Sequence, residues 1–234
     1  MKAKPDGQPD PGQERGQERH AKTGRRRTGG VRLPFNERRA QILEVAAEYF
    51  SEHGLTAQTR QLADRCGISQ RLLYRFFPAK EDLLREVYRK EIMGGFKAVW
   101  FVSLQDRSRP MQERLERFYA EYLASTLTRK WLRLFVYVSL DETNMAPDYI
   151  AAFITQLLEV IMRETAAEKG VDLPDAPELL LQMGWSLHGA ISYYAMRQHL
   201  YGGGSSLPDS VVIGLNVRLF LSGFEAMLAA AQEG

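Results

Sequence analysis

The sequence predicts an all-α fold, on three observations. From Phe35 onward apolar residues recur at three- and four-residue spacing. Short breakers rich in Gly, Pro, Asn and Ser cut that pattern into helix-sized segments. No alternation of apolar and polar residues competes for a strand, and no internal repeat is visible. At 234 residues the chain is long enough to bury a full core.

Residues 1–34 are rich in Gln, Gly, Arg, Pro and Glu and nearly devoid of large apolar side chains. They cannot bury enough surface to offset ordering entropy, so a disordered basic arm is expected, with Arg25, Arg26 and Arg27 in sequence near its end. A first helix is expected after Pro34, with Asn36 as its cap and Glu37 at the positive end of its dipole. Ile42, Val45, Ala46, Tyr49 and Phe50 form its apolar stripe, and Gly54 ends it.

The stretch from Gln58 to Lys80 reads as two short helices with a break between them. Leu62 and Ala63 are the buried pair of the first, and Gly67 suits the left-handed conformation that closes a helix. Ile68 fills the corner, Ser69 is a good N-cap for the second helix, and Pro78 stops it. Setting Leu73 inward brings Phe76 and Phe77 to its flanks and turns Arg71 and Arg75 outward, one turn apart, with Gln70 and Tyr74 along one side. Like charges at that spacing repel mildly; a polyanion would reverse the sign, and arginine can pair bidentately with guanine. A helix–turn–helix with this outer face points to double-stranded DNA.

The runs ILEVAAEYFSEHG, LADRCGIS and LLYRFFPAKEDLL, over roughly residues 38–84, resemble the N-terminal domain of the TetR family of bacterial transcriptional regulators. The resemblance implies that Tyr74 and Lys80 contact phosphates, that Thr59 and Arg60 touch backbone and base edge, and that Gln70, Arg71, Leu72 and Arg75 face the groove. This sequence departs from the family pattern at Gln58, Arg71, Leu72, Phe76 and Ala79. Arg71 and Leu72 remain compatible with base contacts, since leucine can touch a thymine methyl, but no operator sequence carries over. Beside such a domain the arm with Arg25, Arg26 and Arg27 would reach the minor groove, the alternative being a solubilising tail.

The expected organisation is therefore a disordered arm over 1–34, a three-helix DNA-binding domain over 35–80, and a larger all-helical ligand-binding and dimerisation domain over 81–234. In the last, one helix is expected over 81–104, with Gly94-Gly95 marking a kink, a close contact or a hinge. Further helices are expected over 111–127, 130–142, 147–168, 176–201 and 208–231. The middle helices are rich in aromatics. The resemblance implies a small-molecule cavity among them, with Phe96, Trp100, Tyr122, Trp131, Phe135, Trp185 and His188 as candidate lining residues. The last two helices mix small and apolar residues, including Gly184, Gly189, Gly214, Phe220 and Gly223, and leave little polar surface to face water. Such a surface would bury itself against a second copy in a four-helix interface, presenting two recognition helices to a palindromic operator.

The formal charge of +2 conceals a gradient. Lys and Arg outnumber Asp and Glu nine to four over residues 1–34 and seven to five over 35–80, but are outnumbered fifteen to twenty beyond. Basic charge thus gathers at the end that carries the helix–turn–helix. The lone Cys66 reads as packing, and no signal segment or run apolar enough to span a membrane is evident, so a cytoplasmic location is expected. A dimeric repressor released by a mostly apolar ligand is the reading reached. Two others compete: an all-helical enzyme with an incidental basic face, and a DNA binder without sequence preference. Against the enzyme, there is no phosphate-binding glycine loop and no metal-ligand spacing, and His20, His53, His188 and His199 are scattered; no cofactor is expected.

Overall fold

Helix α1 spans Phe35–His53, and its first turn begins directly at the proline. Pro34 has extended backbone and its carbonyl accepts from the amide of Arg38, so it occupies the cap position and Asn36, the expected cap, lies inside the helix. This computed structural model describes residues 33–140 and 147–232. Arg25, Arg26, Arg27 and nearly all of the expected arm lie outside the described residues, as does the breaker at Asn144-Met145-Ala146. Ile42, Ala46, Tyr49 and Phe50 are buried along one face of α1.

Helices α2, Thr59–Arg65, and α3, Gln70–Phe76, follow. Between them Gly67 takes φ +65°, which lets the amide of Ile68 return to the carbonyl of Ala63 and close α2. Ser69 Oγ accepts from the amide of Leu72 at 3.2 Å, the cap expected of it. Replacing Ser69 by alanine should therefore lower the chain's stability by about 1 kcal/mol. An unchanged melting temperature would show that the cap contributes nothing. Leu62, Ala63, Leu73 and Phe77 are all buried and close the core over α1. Cys66 is buried beside them, and burial pushes its thiol up to about 11, in keeping with a packing role.

The single helix expected over 81–104 is instead two. Helix α4 spans Lys80–Glu91, a 3-10 turn covers Met93–Gly95, and α5 spans Val99–Leu104. The carbonyls orphaned at this break have partners on other segments. Ile92 O accepts from the Trp131 indole at 3.4 Å, and Gly95 O accepts from the Thr126 hydroxyl at 3.2 Å. Gly95 thus sits where neighbouring side chains approach: a Cβ there would lie 3.6 Å from the Trp131 nitrogen and 3.7 Å from the Thr126 side chain.

The body continues with α6 Met111–Ser125, α7 Arg129–Ser139, α8 Pro147–Lys169, α9 Pro177–His199 and α10 Asp209–Gln232. Helix α10 packs along α6 and α9, α9 on α8, and α7 against α1, so that from Pro34 onward the chain forms one compact unit. Gly184 permits the α8–α9 approach, since a Cβ there would come within 3.0 Å of Leu158 Cβ. The expectation that no run is apolar enough to span a membrane needs correcting at α10. Over Asp209–Ala230, α10 is long and apolar enough to cross a membrane by length and composition, with mean hydropathy 1.6, and only 33% of its most apolar stretch is buried.

Candidate nucleic-acid interface

The outer face of α3 is set by what holds its inner face. Leu73 and Phe77 are fully buried, so Gln70, Arg71 and Arg75 emerge on the exposed side, Tyr74 is 39% exposed, and Leu72 is half-buried. Several nearby arginines have acidic partners: Arg65 pairs with Glu52, Arg39 with Glu86, and Arg85 with Asp82, though among the described residues Arg60 has none. Among the described residues, Arg71 and Arg75 have no such partner. Two guanidinium groups one turn apart, uncompensated on an exposed face, form a site of positive potential.

The remaining expected contacts divide. Arg60 is exposed at the start of α2. Lys80 is half-buried as the first residue of α4, with its ammonium 5.9 Å from the centre of the Phe50 ring. One of the amides beside it is already occupied, because Ala79 N–H donates to Asp82 Oδ2 at 3.2 Å. Thr59, expected to touch the DNA backbone, is buried beneath α3. Its hydroxyl lies 3.0 Å from the Tyr74 hydroxyl and accepts from Gln70 Nε2 at 3.2 Å.

Sequence reasoning missed Phe35, which is 61% exposed and stacks on Phe76 with ring centres 4.6 Å apart. The pair ties the start of α1 to the end of α3. Phe35 lies before the periodic stripe of α1, and nothing in the spacing of two aromatics 41 positions apart announces the contact.

In the body, the candidate pocket residues pack ring against ring. Trp100 lies edge-on to Phe118 and Tyr122, each with centres 5.5 Å apart, while Phe96 contacts Trp131 and Trp131 stacks on Phe135. His188 is buried, 3.5 Å from the Tyr119 hydroxyl, and desolvation pulls it down to about 4, leaving it neutral at physiological pH. Trp185 departs from the expectation: it is 40% exposed, with its ring roughly perpendicular to that of His188 at 5.3 Å. A half-open cavity of about 480 Å³ instead lies between α8 and the start of α9, with Met162, Leu173 and Leu181 in its wall and Glu159 and Arg163 at hand.

The candidate dimer residues also separate. Phe220 is buried in the chain's own core, and Gly214 faces Glu116 of α6, so neither is free for a partner. Gly189 and Gly223 face open space. On the same two helices Trp185, Tyr193, Val211, Leu215 and Leu219 are exposed, Leu219 to 75%.

Comparison with known proteins bears on the helix–turn–helix segment and on the fold. Residues 42–87 match the family model described as bacterial regulatory proteins, tetR family. The HTH-type transcriptional repressor KstR2 of Mycobacterium tuberculosis is 37% identical over 91 residues, 38% of this chain and 43% of that repressor. The HTH-type transcriptional activator FasR of Mycolicibacterium smegmatis is 33% identical over 109 residues, 45% of this chain and 48% of that activator. The chain thus matches less than half the length of these curated relatives. Among solved structures, the ketosteroid transcriptional regulator KstR2 of Mycobacterium tuberculosis superposes with TM-score 0.57 at 22% identity, over 83% of this chain and 96% of that one. A TetR-like transcriptional regulator from Rhodococcus sp. RHA1 superposes with TM-score 0.59 at 19% identity, over 83% and 99%. At these identities the structural likeness is one of fold.

Proposed function

We propose, for a chain that belongs to the tetR family of bacterial regulatory proteins, that it is a homodimeric, sequence-specific DNA-binding regulator acting as a repressor and released by a small, mostly apolar ligand. The observation that carries the DNA-binding part is the outer face of α3, where Arg71, Arg75, Tyr74 and Gln70 project from a helix whose other face is locked by Leu73 and Phe77. Arginine pairs offer bidentate contacts to guanine, and the tyrosine hydroxyl suits a phosphate oxygen. Selection of duplexes from a random pool by the purified full chain tests the reading. The expected winner is a palindrome whose half-sites are centred about one helical turn apart. A pool that emerges without an enriched sequence would refute sequence-specific binding.

The dimer reading rests on the uncovered apolar row of α10. Val211, Leu215 and Leu219 repeat at four-residue spacing along it and are exposed, as are Trp185 and Tyr193 on α9, while Gly189 and Gly223 face open space. Burial against a second copy explains why a helix apolar enough to span a membrane keeps so much of itself uncovered within one chain. Replacing Leu219 by glutamate should shift the protein to a monomer in sedimentation and weaken operator binding together with dimerisation. A charged Leu219→Glu chain that sediments like the unaltered protein would place the interface elsewhere.

Release requires that the body and the DNA-binding helices move as coupled parts. Arg133 of α7 donates to the carbonyls of Ser51 and Glu52 at the end of α1, and Lys130 bridges Glu48 of α1 and Glu91 of α4. A ligand seated in the body that displaces α7 would therefore carry α1 and α4 with it. The α8–α9 cavity lies within the size range of small-molecule sites, and its apolar wall fits a mostly apolar effector. For a repressor, coupling demands that ligand bind the DNA-free state more tightly.

A further inference from the structure

We propose that the buried hydroxyl of Thr59 is the positioning group of the DNA-reading surface: it aims the Tyr74 proton at a phosphate and fixes the orientation of the Gln70 amide. The proposal rests on the DNA-binding reading above and adds to it a residue that does not itself touch DNA. Thr59 is only 9% exposed at the start of α2, and its Oγ1 is taken up by two side chains of the recognition helix. Both of its hydrogen-bond neighbours lie on α3 and both are exposed: the Tyr74 hydroxyl at 3.0 Å and Gln70 Nε2 at 3.2 Å.

The proton count makes the arrangement directional. An amide nitrogen only donates, so Gln70 gives one N–H to Thr59 Oγ1. Thr59 holds one proton, and a phosphate oxygen only accepts. When Tyr74 meets a phosphate its own proton must point outward, which leaves its oxygen to accept from Thr59. One consistent chain results, running from the Gln70 amide through the Thr59 hydroxyl to the Tyr74 hydroxyl and then the phosphate. Each donor is used once and no proton is contested.

The same chain has a consequence for base reading. With the one Thr59 proton given to Tyr74, a flipped amide would set Gln70 Oε1 against an oxygen with no proton to donate, so the amide is held in one orientation. Its oxygen and its second N–H remain, an acceptor beside a donor, which is the pattern that pairs with adenine N6 and N7. Thr59 thereby converts a side chain that could present either end into one that presents a fixed order. A threonine at this position reads as a surface contact in the sequence; its burial gives it the other role.

The test uses the full chain and the duplex it selects from a random pool. Thr59→Val keeps the shape and removes the hydroxyl, Thr59→Ser restores the hydroxyl, and Tyr74→Phe removes the terminal donor. The expected result for Thr59→Val is a roughly tenfold weaker affinity at fixed salt, the scale of one hydrogen bond to a charged group. A reduced preference for adenine at the position facing Gln70 should accompany it. Thr59→Ser should recover both. Adding Tyr74→Phe to Thr59→Val should cost little further, because the two act through one chain. Circular dichroism of each variant confirms that α2 and α3 still form. If Thr59→Val binds with unchanged affinity and unchanged base preference, or if its effect and that of Tyr74→Phe simply multiply, the positioning role is refuted. Failure of the unaltered chain to enrich any duplex would instead refute the DNA-binding reading itself.

Discussion

Replacing Arg71 and Arg75 together by alanine is expected to lower affinity for the selected operator by roughly two to four orders of magnitude, at about 1–3 kcal/mol for each base-reading arginine. Both side chains are exposed, and neither has an acidic partner among the described residues, so their removal leaves no buried charge stranded. Exposed substitutions of this kind usually change stability by less than about 0.5 kcal/mol. Relief of their mutual repulsion along α3 acts in the stabilising direction. The decisive comparison is between operator and random duplex at one salt concentration. Base reading predicts that the operator suffers far more than the random duplex, so that specificity collapses. Lys80→Ala supplies the contrast: a phosphate contact should weaken both duplexes alike and reduce the salt slope by about one. Equal losses on both duplexes for the arginine pair would mean that Arg71 and Arg75 supply only general attraction.

That prediction could be framed from the sequence alone, because everything it needs is local. Helical periodicity places Leu73 inward and Arg71 outward, Ser69 and Gly67 carry their own conformational reasons, and Pro78 fixes where α3 stops. The burial of Thr59 was not legible in this way. A threonine that opens a helix can face either side, and only the packing of α3 across α2 decides it. The body shows the same division. Its helices could be marked off by their breakers, but the fate of the segment around Gly94-Gly95 depended on Trp131 and Thr126, some thirty-five positions away, supplying donors to the freed carbonyls. Small residues in α9 and α10 promised close contacts without saying with what. Gly214 uses its space against α6 and Gly184 against Leu158, while Gly189 and Gly223 leave theirs open. Aromatic richness likewise could not distinguish a lined cavity from the ring-on-ring packing that Trp100, Phe118 and Tyr122 form.

The largest stability effect is expected at Arg114, a residue that no motif singled out. Its side chain is 2% exposed inside α6. One guanidinium nitrogen donates to Leu104 O at 2.6 Å and to Glu164 at 3.1 Å, and the other to Glu168 at 3.1 Å, so it joins the end of α5 to α8. Glu168 in turn accepts from the amide of Met111 at 2.6 Å. Removing Arg114 strips the Leu104 carbonyl of its buried donor and takes one of two cations from Glu164, while Arg107 stays on Glu164 and Glu168 is 40% exposed. Arg114→Ala should therefore cost about 3 kcal/mol, the low end for breaking a buried ion pair, a fall in melting temperature of roughly 6–12 °C for a chain of this size. Arg107 also binds Glu164 through two hydrogen bonds, and these contribute most to holding that carboxyl below its ordinary value of 4.5. Yet its guanidinium is 66% exposed and screened by water, so Arg107→Ala should cost no more than about 1 kcal/mol. The pH dependence follows from the lowered carboxyl. The stability that Glu164 contributes is fully present above pH 4.5 and is lost as pH falls through its depressed folded value. In Arg114→Ala that carboxyl loses one of its two cations, so the acid-dependent part of the stability should shrink while Arg107 retains the rest. Thermal unfolding of both variants from neutral to acid pH measures this directly. Losses of similar, small size for the two arginines would show that burial of Arg114 adds nothing to its ion pairs.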